Sequence, residues 1–147
     1  MFIIQLTMVI QETLLLYPPT AVIARETLQD MKFGGIHVPK GVNIYIPVST
    51  LHHDSSVWGS DVHEFNPERF SKGVFAACQL PHMYAPFGFG PRTCLGQNFA
   101  MVELKVVLSI ILSKFTFTLS PNYRHSPSMR LLIEPKFGVD LLMKRCD

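Results

Sequence analysis

Between residues 5 and 17 apolar side chains recur at steps of three and four, at Leu6, Val9, Ile10 and Leu14 with Thr13 on the same face, and Pro18-Pro19 forbids continuation. The spacing predicts a helix whose apolar face needs a partner surface. From residue 20 to 48 the period shortens. Residues 21–24, 31–33, 36–38 and 42–48 read as extended runs divided by Gly34-Gly35 and Pro39-Lys40-Gly41, which predicts a small sheet with a hairpin. Over residues 49–86 proline, glycine, histidine and charge interrupt every period, so irregular structure broken by short helices is expected. Trp58, Phe65 and Phe70 are its expected packing anchors.

A second helix is predicted over residues 95–113. Phe99, Val102, Leu104, Val106, Val107, Leu108, Ile110, Ile111 and Leu112 make it apolar nearly all round, which predicts burial on most sides. Residues 115–119, 129–134 and 139–143 then alternate or run apolar as strands that would complete a small mixed sheet. The expected class is mainly α with small mixed β-sheets, in one domain over residues 1–147.

Composition narrows the choice. With 147 residues, 48% of them hydrophobic, there is material for a real core. A net charge of +2 with dispersed basic residues argues against a nucleic-acid partner. Cys78, Cys94 and Cys146 are too few and scattered for a disulfide framework, and no pair has zinc-ligand spacing. His52 and His53 are adjacent and cannot share a helix face, so with His63 they read as polar packing rather than a metal site. The apolar opening is interrupted at Gln11-Glu12, well short of the roughly 20 residues that span a bilayer, and lacks signal-peptide features.

The densest chemistry lies in residues 87–96, Phe-Gly-Phe-Gly-Pro-Arg-Thr-Cys-Leu-Gly. A cysteine where a glycine-rich loop meets a helix N-terminus is suited to act as a thiolate metal ligand, because free amides and the positive end of the dipole favour the anion. Gly88, Gly90 and Gly96 permit positive φ or close backbone approach, so a flat, bulky cofactor could lie against the main chain. Pro91 stiffens the loop, Arg92 is placed for a carboxylate, and Phe87 could shield the sulfur from water.

Residues 87–96 resemble the haem-binding signature of the cytochrome P450 superfamily. Residues 12–19, Glu-Thr-Leu-Leu-Leu-Tyr-Pro-Pro, are similar to its conserved helix segment, and residues 67–70, Pro-Glu-Arg-Phe, to its meander motif. The resemblance runs from about residue 5 to 144 and implies the C-terminal, haem-ligand portion of that fold. It makes Cys94 the proximal ligand of haem b, with Phe87, Gly88, Gly90, Arg92 and Gly96 around the cofactor. Arg25 falls where the family directs a basic residue to a haem propionate; an exposed strand-end arginine reads that residue equally well. Glu12 and Arg69 match two members of a buried charge network, but the family's helix arginine is replaced by Leu15.

The resemblance further implies a haem-thiolate monooxygenase that uses O2 and NADPH-derived electrons delivered by a reductase. Lys105 and Arg92 are candidate contacts for an acidic reductase surface. Residues 50–54, 58–59 and 99–105 look most like plant members related to gibberellin and terpenoid oxidases, which implies an apolar, isoprenoid-type substrate. Family location would be the cytosolic face of the endoplasmic reticulum membrane, with the anchor, the distal helix and most substrate-recognition segments absent from this chain. It therefore reads as a C-terminal fragment, a truncated product or a misjoined gene model. Turnover is not expected from these residues alone, and the alternative is a non-catalytic haem-binding or partly folded product.

Overall fold

The computed structural model describes residues 2–78 and 80–146. Helix α1 spans Phe2–Leu16, and Met1, which opens the apolar run, lies outside the described residues. Pro18 and Pro19 end the helix because neither has an N–H to donate to the preceding turn. Its buried positions are Leu6, Met8, Ile10, Glu12 and Leu15.

Strands β1 (Val22–Glu26), β2 (Met31–Phe33), β3 (Ile36–Val38) and β4 (Asn43–Pro47) follow. β1 pairs antiparallel with β4, placing Arg25 opposite Ile44, and β2 pairs antiparallel with β3. Gly34 and Gly35, at φ of +52° and +92°, supply the left-handed turn a tight hairpin needs. Buried Thr27 donates its hydroxyl to the Pro39 carbonyl at 2.7 Å and accepts the Val42 amide at 3.0 Å, tying the connection to β1.

The next segment is irregular, as expected, with short helices α2 (Val48–His52), α3 (Ser55–Trp58) and α4 (Val74–Ala77) and 3-10 turns at Pro67–Phe70, Pro81–Met83 and Gly90–Arg92. Asp54 caps α3 by accepting the Ser56 amide at 2.9 Å. Trp58, Val62, Phe70 and Cys78 pack with Met8 and Leu15 into the core, and the Trp58 indole donates to the Leu51 carbonyl at 3.1 Å. Phe65 does not join them; it is exposed.

Helix α5 (Gln97–Lys114) leads into β5 (Phe115–Leu119), β6 (Pro127–Met129), β7 (Ile133–Pro135) and β8 (Leu141–Arg145). Two expectations fail here. The strands form antiparallel pairs, β5 with β8 and β6 with β7, rather than a mixed sheet; the short turn between β6 and β7 admits only an antiparallel pair, and β8 returns antiparallel to β5 after that hairpin. The predicted strand over 129–134 is itself split by the turn between β6 and β7. Nor is α5 buried. It packs on α1 and β5, has no buried residue, and leaves Phe99 72% and Val102 60% exposed. Surfaces to cover its remaining sides are absent among the described residues.

Candidate functional site

The cysteine loop starts from two fixed residues. The Tyr84 hydroxyl donates to the Gln11 carbonyl of α1 at 3.0 Å, and the Ala85 amide donates to His52 Nε2 at 3.0 Å. The Gly88 amide then donates to the Ala85 carbonyl at 3.0 Å, and the Cys94 amide to the Phe87 carbonyl at 2.8 Å, closing residues 87–94 into a loop. Gly88 and Gly90 have φ of +77° and +79°, the left-handed region that disfavours side chains. Gly96 serves differently. It has φ −83°, and a Cβ there would sit 3.9 Å from Cys94 Sγ, so its contribution is room beside the sulfur.

Cys94 is exposed and precedes α5, whose first amide, Gln97 N–H, donates to the Cys94 carbonyl at 3.3 Å. In front of the loop lies an open hollow of about 430 Å³ lined by Cys94, Arg92, Phe87 and Gly88, by Ile23 and Arg25 of β1, by Leu14 of α1, and by Leu132 between β6 and β7. The last of these is held by the Ile133 amide, which donates to the Pro19 carbonyl at 2.8 Å. Of the seven residues expected around the cofactor, five line this hollow, while Gly90 and Gly96 do not. Arg25 is half-buried, and its guanidinium donates to the Ala24 carbonyl at 2.9 Å. One soft sulfur donor, apolar walls and two guanidinium groups suit a flat apolar ring bearing a metal and carboxylates.

Behind the site, Glu12 and Arg69 approach as an ion pair at 3.4 Å, Nε to Oε2, both buried. Neither of those two atoms has a hydrogen-bond partner. The guanidinium fork is committed elsewhere: Nη1 and Nη2 donate to the two carboxylate oxygens of Asp61 at 2.9 and 3.0 Å, and to the Trp58 and Asp61 carbonyls. Glu12 Oε1 accepts the Asn66 amide at 2.9 Å. Burial pushes the Glu12 carboxyl above its ordinary value, opposed by the Asn66 amide and the Arg69 charge. The hydrogen bonds from Arg69 and Asn66 hold Asp61 below the usual carboxylate range. Two carboxylates thus share one cation, and Leu15, fully buried one turn beyond Glu12, contributes only apolar packing.

Asp61, Tyr84 and His52 were not legible as parts of this assembly. Asp61 lies in a turn, where spacing to Arg69 carries no periodic signal; the other two meet partners far along the chain. The rings of His53 and His63 lie with centroids 5.2 Å apart and planes tilted by 43°, but no cluster of three metal-binding side chains occurs among the described residues.

A thiol-bearing glycine loop facing an apolar hollow with two arginines is an arrangement chemically suited to a thiolate-ligated cofactor. Residues 4–141 match the family Cytochrome P450, and the chain belongs to that family. It is 64% identical over 140 residues to Cytochrome P450 714B2 of Oryza sativa subsp. japonica and 61% identical over 140 residues to Cytochrome P450 714B3 of Zea mays, each match covering 95% of this chain. To Cytochrome P450 714A2 of Arabidopsis thaliana it is 56% identical over 133 residues, 90% of the chain. The chain spans about a quarter of the length of these curated relatives, 25–26%. No helix among the described residues is long and apolar enough to cross a membrane.

Proposed function

We propose that this chain is the haem-binding, C-terminal part of a monooxygenase. The observation that carries the reading is the convergence of Cys94, Arg92, Arg25, Phe87 and Gly88, from two separate segments, on one hollow. Cys94 supplies the thiolate ligand, Arg25 and Arg92 bind the two carboxylates of haem b, and Phe87 keeps water from the sulfur. Leu14, Ile23 and Leu132 give the cofactor an apolar wall. When bound, the iron supplies dioxygen activation for insertion of one oxygen atom into an apolar, isoprenoid-type substrate, with NADPH-derived electrons from a reductase. Lys105, half-buried on α5, offers positive charge to an acidic reductase surface. The whole protein works at the cytosolic face of the endoplasmic reticulum membrane.

The carbon-monoxide difference spectrum of the reduced, haem-reconstituted chain tests this, with Cys94→Ala alongside. The expected result is a thiolate-type Soret band that the substitution abolishes. The exposed apolar sides of α5 favour a second reading, a non-catalytic or partly folded product prone to association. Absence of the band in both proteins selects that reading.

A further inference from the structure

We propose that His52 is a positioning residue for the cysteine loop, clamping residue 85, where the loop begins, to the C-terminal end of α1. The hydrogen bonds of the ring define its state. The Ala85 N–H can only donate, so Nε2, at 3.0 Å, is the bare nitrogen. The proton therefore sits on Nδ1, which donates to the Leu15 carbonyl at 3.1 Å. One side chain thereby satisfies a carbonyl of the last turn of α1 and the amide that opens the loop, groups that would otherwise be buried without partners.

The clamp is rigid. His52 is fully buried at the end of α2, and Tyr84 stacks on it with ring centroids 5.6 Å apart and planes 18° from parallel. Tyr84 is tied to α1 in turn through Gln11. From Ala85 the bonding continues outward through Gly88, and the Phe87 carbonyl receives the Cys94 amide. Burial also lowers the His52 pKa to about 4, which keeps the ring neutral, one donor and one acceptor, near pH 7. The clamp itself is independent of haem; its consequence for ligation rests on the reading of Cys94 given above.

Amide side chains separate the two nitrogens: the amide of His52→Gln reaches the Nε2 position, that of His52→Asn the Nδ1 position, and His52→Phe keeps ring volume alone. Amide exchange in the haem-free chain is read at Ala85, Gly88 and Cys94, relative to amides of β1 and β4 as internal reference. Loss of the Ala85 bond in the Asn and Phe variants should accelerate exchange at those three positions about tenfold over the reference, while the Gln variant stays near the parent. With haem, the Asn and Phe variants should also lose thiolate-type absorbance that Gln retains. Equal behaviour of Gln and Asn, whether both retain protection or both lose it together with the reference strands, overturns the proposal and leaves His52 a packing residue. The expected exchange pattern in the variants, together with a parent chain that binds no haem, supports the clamp while counting against the function proposed for Cys94.

Discussion

The first part of the chain, α1 with the irregular segment that wraps it, and the second part, α5 with the C-terminal hairpins, have similar apolar content and opposite fates. Leu15, Val48, Trp58, Val62 and Phe70 are buried, whereas α5 buries nothing completely. The difference lies in how many directions supply partners. α1 meets the 3-10 turn at Pro67–Phe70, α2 and α5, while α5 meets α1 and β5. Apolar sequence creates a demand for burial; only neighbouring surface meets it. Cys94 sits at the seam between the two parts, hung from the first and leading into the second.

The contrast is broken most severely by Trp58→Ala. Truncating that buried indole should cost about 3–5 kcal/mol in chemical denaturation, whereas Phe99→Ala on α5 should change stability by no more than about 0.5 kcal/mol. Equal losses would mean that α5 is covered in solution, by a second copy for instance. Acid should act selectively on the first part. The folded-state pKa of His52, about 4, lies below its ordinary 6.5, so this group stabilises fully above pH 6.5 and its contribution is lost as pH falls toward 4, on the order of 3 kcal/mol. The titratable groups beside it are His53 on its own helix and Tyr84, whose ionisation burial and the Glu12 charge oppose. Glu12, with its raised pKa, contributes with the opposite sign. Denaturation at pH 7 and pH 4.5 should show a smaller loss in His52→Gln; equal losses would locate the acid sensitivity elsewhere.

The smallest effect sharpens the comparison within the core. Leu15→Arg would set a cation against Glu12 Oε2, which has no hydrogen-bond partner, and balance the two carboxylates around Arg69. A gain of about 1 kcal/mol, with better haem retention, is expected once the lost leucine contacts are offset. No gain in melting temperature or occupancy would show that apolar packing decides position 15.

Local rules carried the sequence reading well where structure is local. Met31–Phe33 and Ile36–Val38 were read with their observed bounds because Gly34-Gly35 punctuates them, and Phe115–Leu119 likewise. The cysteine loop was legible because its glycines, arginine and thiol fall within one short stretch of chain, residues 87–96. The remainder depends on contacts between distant segments. His52 reads as ordinary polar packing until Leu15 and Ala85 are seen on either side of it. For α5, all-round apolarity reported the environment its sequence suits, and the neighbours among the described residues do not provide it.

In a chain synthesised from its N-terminus, Gln11, Leu15, His52, Tyr84 and Phe87 have all emerged by the time Cys94 is added. Of the residues that line the hollow, only Leu132 is made after Cys94. Leu132, carried in with the Ile133 to Pro19 bond, arrives last. The lining of the hollow is thus completed in stages, by a contact between segments more than a hundred residues apart in the chain.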